Sequence, residues 1–272
     1  MIDHDARRLL MRVFVLLLMF GAIETKGQTL PATKNLGLGN IGGVTKGVHS
    51  IGYNPAGIAS IERPVLSALY SEYFFSTNTQ SLTGKIAYPA GFLNFGTYVH
   101  YYRFKDFYQT LSTGLTLAKS LSKDFAVGLS TNYHLINLAT DLQRNHFSFD
   151  VGAQYALSQL ASIGLSASHL RLTTTANNPS SQPIHLRLGS SYIFTQQVVL
   201  LTEISYSEQV DFAFGTEYLP MSWLAVRGGI SVNPFMQYVG VGVITKKFNF
   251  DIATSHHPQL GYSPQISIDY RF

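Results

Sequence analysis

The sequence predicts an all-β fold: a transmembrane, antiparallel up-and-down β-barrel of about 14 strands with an N-terminal plug segment. Three observations carry this. Residues Gln265 to Phe272 alternate, with Ile266, Ile268, Tyr270 and Phe272 on one face and Gln265, Ser267, Asp269 and Arg271 on the other. This is the pattern of a closing strand with lipid on one side and a wet or filled lumen on the other. Second, only 12% of the residues are charged and 13% are aromatic, with 18 Phe and 16 Tyr against one Trp; a soluble domain carries roughly 25% charged residues. Third, no stretch after the N-terminal leader reaches helical spanning length, so a chain of this kind has to cross hydrocarbon as a closed sheet.

Residues 1–28 read as a secretory signal peptide. Arg7, Arg8 and Arg12 precede an apolar run from Val13 to Ile23, which is too short for a spanning helix, and polar residues with the Gly27-Gln28 pair mark a cleavage zone. The mature chain is expected to leave the cytoplasm and enter the outer membrane of a Gram-negative-type bacterium.

Residues 29–63 form a different kind of segment. The Gly-rich run Gly37 to Gly43, and Ser50 to Ala59 after it, cannot supply a ten-residue alternating strand. Asn54-Pro55 reads as a helix start, with Asn54 as cap and Pro55 at the first helical position, and a short helix is predicted over Pro55 to Ile61. Glycine lets backbone pass close to a wall, so Asn54, Pro55 and Gly57 are placed in a plug or lid. Ile58 and Ile61 are expected to pack on the inner face of the first strand. Were Glu72 inward, Leu66, Ala68 and Tyr70 would be inward too and would need the plug as their partner.

Residues 64–272 form the barrel. Alternating segments begin at Val65, Ser81, Leu93, Thr110, Phe125, Phe147, Ile163, Ile184, Val198, Asp211, Trp223, Gln237, Phe248 and Gln265, which makes fourteen, with twelve as the second choice. About 15 residues per strand and connection leave room for the roughly 9 to 11 that a tilted spanning strand needs. In Phe125 to Leu135 the outward set is Phe125, Val127, Leu129, Thr131, Tyr133 and Leu135; in Phe147 to Tyr155 it is Phe147, Phe149, Val151, Ala153 and Tyr155. The inward positions hold Gly, Ser, Ala and Asn, where a soluble sandwich would carry Lys and Glu on its open face. Counting back from a last strand that ends in the periplasm, the short connections become periplasmic turns and most of the longer ones outer loops, the last of them Thr254 to Pro264 with His256-His257 in it.

Charged residues predicted to face the lumen are Asp150, Arg187, Glu203, Asp211, Glu217, Arg227, Asp269 and Arg271. Charges in a narrow interior must be compensated, so these are assigned to interior ion pairs and hydrogen-bonded filling. Tyr270 and Phe272 are assigned to the signal read by the barrel-assembly machinery. No catalytic, cofactor or metal residues are assigned. His134, Asp150, His185 and Ser191 all face inward, yet no nucleophile elbow surrounds any Ser, and adjacent His256 and His257 point apart on an extended chain. There are no cysteines, which excludes disulfides and thiolate chemistry. No basic stripe marks a nucleic-acid partner.

Asn54-Pro55-Ala56-Gly57 ahead of the first strand, the preceding Gly-rich run, and the ending Asp251 to Gly261 followed by Ile266 to Phe272 resemble the PorV/PorQ family of FadL-like outer-membrane barrels. The resemblance implies fourteen strands, an N-terminal segment entering the lumen, and an accessory role in type IX protein secretion or surface attachment, with secretion-system proteins or cargo as partners beside outer-membrane lipid. The alternative is a FadL-like channel for hydrophobic small molecules, and a third reading is a barrel that only supports a partner's assembly. A non-enzymatic role is expected in each case. An apolar pocket on the order of 300 Å³ would favour the channel; a plugged lumen would favour the accessory.

Overall fold

The computed structural model describes residues 30–139, 143–171 and 183–272; the expected signal peptide, residues 1–28, lies outside the described residues. The strands are β1 (Val65–Tyr73), β2 (Ser76–Pro89), β3 (Asn94–Phe104), β4 (Tyr108–Ser120), β5 (Phe125–Leu138), β6 (Gln143–Ala156) and β7 (Ala161–Leu170). They continue as β8 (His185–Ile193), β9 (Val198–Ser207), β10 (Gln209–Met221), β11 (Leu224–Val232), β12 (Phe235–Ile244), β13 (Phe248–His257) and β14 (Gly261–Arg271). Each pairs antiparallel with its sequence neighbours, and β14 closes on β1 from Val65↔Arg271 to Ser71↔Gln265, so the sheet has no free edge. Fourteen strands is the number the alternation predicts.

The two faces separate as polarity requires. Outside lie Leu82, Val99, Leu115, Leu129, Val151 and Ile252, all exposed, whereas Ser130, Asn132 and His134 of β5 and Ser148, Asp150 and Gln154 of β6 are buried inward. No helix among the described residues is long and apolar enough to cross a membrane, so any crossing is made by the strands. At the seam Tyr270 packs between Phe248 and Phe272, with ring centroids 5.0 and 4.7 Å away, and the Phe272 amide donates to the Pro64 carbonyl at 3.2 Å.

Inside, residues 30–62 are folded against the wall. They form a short α-helix, α1 (Thr33–Gly37), and two 3₁₀ turns, Val48–Ser50 and Pro55–Ser60. The second replaces the expected helix over Pro55 to Ile61, with Asn54 as its cap: the side-chain Oδ1 accepts from Ala56 N at 3.1 Å. Three apolar clusters anchor the segment. Val48, Ile51, Ile58 and Ile61 meet Ala87, Tyr98 and Ala118; Leu38, Ile41 and Val44 meet Leu201 and Ala213; Leu36 meets Tyr238 and Ala253.

Three expectations are corrected. Leu66 and Tyr70 are exposed on the outside, as is Ala68, and Ser67, Leu69 and Ser71 point inward; the ladder stays in register through Glu72↔Gln80, so Glu72 shares their parity and it is the inward placement of Glu72 that fails. Ile58 and Ile61 accordingly pack mainly on β2 to β4, with only Val65 of β1 beside their cluster. The outer loops are also shorter than the loss of alternation suggests. β13 runs through His256 and His257, which sit in the strand and not in a loop, and β1 turns into β2 over Phe74 and Phe75, both with left-handed φ (58° and 47°) as a two-residue hairpin demands. Where a strand rises out of the apolar layer both faces meet water, so the alternation ends before the hydrogen-bond ladder does.

Val151 is 41% exposed, near the middle of β6 and on the outer face. Val151→Arg is expected to cost about 2 to 4 kcal/mol in lipid vesicles, as a midplane cation does. Urea unfolding followed by Trp223 fluorescence measures this; an unchanged midpoint would contradict the placement.

Candidate functional site

The candidate site is the contact between plug and wall, and it begins with glycine. Gly128 pairs with Gly152, Gly164 with Gly189, and Gly215 with Gly229 across neighbouring strands. At each of these positions plug atoms occupy the space a side chain would take. A Cβ on Gly164 would lie 2.0 Å from the Gly43 carbonyl oxygen, one on Gly152 2.0 Å from Asn54 Oδ1, and one on Gly215 2.4 Å from the Leu38 carbonyl oxygen. These paired glycines are the footprint of the plug. Gly57, inside the plug, plays the same part: its Cβ would sit 2.3 Å from the Thr45 carbonyl oxygen.

Backbone brought this close needs its polar groups satisfied, and side chains on both partners do so. Asn54, fully buried, caps its own turn and donates through Nδ2 to the carbonyls of Gly43 (2.5 Å), Ala153 (3.2 Å) and Leu165 (3.3 Å). Glu203 accepts from Gly42 N and Gly43 N at 2.9 and 2.6 Å through Oε2, while its Oε1 takes Arg187 Nη1 at 2.7 Å. The Arg187 guanidinium lies 4.9 Å from the centre of the Tyr53 ring. Burial pushes the Tyr53 phenol up, with Arg187 pulling the other way, and its hydroxyl donates to Asn40 Oδ1 at 2.6 Å. On the opposite side Lys85 Nζ donates to the Ile51 carbonyl at 3.0 Å, Asn94 Nδ2 to those of Ile58 and Ile61 at 2.8 and 3.0 Å, and Gln154 Nε2 to that of Thr45 at 2.8 Å.

A second group of charges runs around the lumen from β10 to β14. Lys34 of the plug lies 3.4 Å from Glu217, Glu217 accepts from Arg227 Nε at 2.6 Å, and Arg227 also pairs with Asp251. His49 Nε2 lies 2.9 Å from Asp269. Breaking such a buried pair by removing one partner costs roughly 3 to 5 kcal/mol, because the other charge is stranded.

The predicted site residues are thus divided. Asn54, Pro55, Gly57, Arg187, Glu203, Glu217, Arg227 and Asp269 meet at the plug or in the charged group beside it. Asp150 faces the lumen, accepting from Asn132 Nδ2 and His169 N, both at 2.9 Å. Arg271 reaches Asn249 instead of an acid. Asp211 lies on the lumen side at the far rim, where it accepts from Val232 N (3.2 Å) and Asn233 N (2.8 Å) at the β11–β12 turn. Lys34, His49, Lys85, Asn94 and Asp251 are added. Lys85 was recoverable from parity, since Ser81, Thr83, Lys85 and Ala87 alternate inward; His49 lies in irregular backbone with no period to reveal it. His134 sits between Ser112 and Ser148, at 2.8 and 3.1 Å, and makes no relay with Asp150.

A cavity of about 30 Å³ is left beside the plug among Tyr98, His100, Asn132, His134, Asp150 and His169, enough for a water or two. A hollow of about 390 Å³ at the far rim, bordered by Thr77, Asn78, Arg103, Lys105, Asp106 and Phe107, is polar and open.

Gly164→Ala should displace the plug, since its Cβ meets main-chain atoms that cannot turn aside, whereas Gly84→Ala, with nothing within 4 Å, should be silent. Protease cleavage within residues 30–62 in folded protein is expected to rise at least tenfold for the first only; equal protection of both would contradict the close contact.

No protein-family model matches the chain, and none of the curated proteins matches it. Solved structures do. A Pseudomonas aeruginosa FadL homologue is similar over 90% of this chain and 100% of its own, with a TM-score of 0.66 at 12% identity. The Pseudomonas putida toluene transporter TodX is similar over 87% of this chain and 96% of its own, with a TM-score of 0.68 at 10% identity. The monoaromatic hydrocarbon channel CymD has a TM-score of 0.64 at 12% identity, covering 88% of this chain and 97% of its own. The PorV/PorQ resemblance gains no support from these comparisons; what they establish is that this chain has the fold of a FadL-like barrel.

Proposed function

We propose that the protein is an outer-membrane channel for small hydrophobic molecules, closed by its N-terminal plug. The observation that carries this reading is what the plug covers. Ile51 and Ile58 fill a slot whose wall is made of Ala87, Gly96, Tyr98 and Ala118: a Cβ on Gly96 would lie 3.0 Å from Ile51 Cδ1 and 3.2 Å from Ile58 Cδ1. Ala87, Gly96 and Ala118, being small, leave depth once those isoleucines withdraw. An apolar guest can then replace them without exposing the slot to water, at a gain of about 25 cal/mol per Å² of apolar surface. The likeness in fold to a toluene transporter and a monoaromatic hydrocarbon channel supports the same substrate class.

The second reading, a PorV/PorQ-like secretion accessory, is favoured by the small size of the cavity beside the plug, about 30 Å³. The two differ in whether the plug has to move. Catalysis has no part in either.

In whole cells, the wild type is expected to take up labelled toluene at least tenfold faster than cells lacking the protein. Uptake by wild type no faster than by cells lacking the protein would overturn the channel reading.

A further inference from the structure

The 3₁₀ turn Val48–Ser50 carries His49 against the inner face of β13 and β14. His49, Asp251 and Asp269 are all buried and offer one ligand atom each within 4.8 Å of one another. Asp269 is 1% exposed; its Oδ2 lies 2.9 Å from His49 Nε2, and its Oδ1 is buried with no hydrogen-bond partner. A buried carboxylate oxygen left without a donor is destabilising, which invites a ligand. Around the group stand Arg227 on Asp251, shared with Glu217, and Lys85, whose ammonium is spent on the Ile51 carbonyl.

We propose that His49, Asp251 and Asp269 bind a divalent transition-metal ion of the zinc type, which fastens the plug to the last two strands of the barrel. One imidazole nitrogen and two carboxylate oxygens are a zinc-type donor set, and three protein ligands leave a fourth position for water. Bonds of about 2.0 to 2.2 Å place tetrahedral ligand atoms roughly 3.4 Å apart; the donors lie within 4.8 Å of one another, with His49 Nε2 and Asp269 Oδ2 already at 2.9 Å, so small shifts of the side chains suffice. Asp251 keeps one oxygen on Arg227 and lends the other. The wall supplies both anions and the plug the imidazole, so the site is complete only when the plug is docked, and by linkage a bound ion favours the docked state. The proposal is independent of what passes through the barrel.

The test is equilibrium dialysis of the detergent-solubilised full chain against Zn²⁺ alone. Removing a buried carboxylate threatens the fold, so the variant is His49→Gln, with heat-modifiable migration confirming a folded barrel and His256→Gln, on the rim, as control. One ion per chain is expected for wild type and His256→Gln, with at least tenfold weaker binding for His49→Gln. Equal binding by wild type and His49→Gln, which is an adventitious ion only, would overturn the proposal, as would no zinc retained by any of the three. Dialysis reads metal and not flux, so it fails or succeeds separately from the uptake measurement.

Discussion

A closed sheet of fourteen strands encloses a space that has to be filled, and here main chain does the filling by lying directly on main chain. The glycine pairs Gly128–Gly152, Gly164–Gly189 and Gly215–Gly229 bring the wall within van der Waals reach of Pro55, Asn54, Gly43, Val44, Leu38 and Gly39. Everything else in the lumen follows from that approach. Polar backbone taken out of water must be hydrogen-bonded, hence Asn54, Glu203, Lys85, Asn94 and Gln154. A carboxylate and an ammonium placed there need partners of their own, hence Arg187 beside Glu203 and the run of charges from Lys34 to Asp251.

The balance of these contacts bears on movement. The apolar clusters hold the plug without direction. The polar contacts are directional and strong when complete, yet each loses most of its value once one partner shifts. An attachment of this kind is held firmly in one position and poorly in any other, as a two-state gate requires.

Strand number, parity and the boundary at Val65 were legible because lipid on one side and a filled lumen on the other impose a period of two on every strand. Asn54-Pro55 was legible because a cap followed by proline has a local cause. The orientation of β1 was not, since it was tied to an inward Glu72, and Glu72 shares the outward parity of Leu66, Ala68 and Tyr70. The longer ladders at the far rim were hidden because both strand faces there are wet. Asp211 faces the lumen side at a turn, and parity alone does not say how high along the strand a residue stands. His49 and Lys34 sit in irregular plug backbone, where only three-dimensional packing chooses partners. Inward glycines were read as small filling; that they mark the track of another segment needed the plug in place.

The central claim is that residues 30–62 occlude the lumen and that their removal opens it. Ion conductance of the purified protein in planar bilayers tests this most directly. The account predicts little current from the intact chain and a stepwise rise when Leu36 to Ile51 are deleted. Large, steady currents from the intact protein would contradict it.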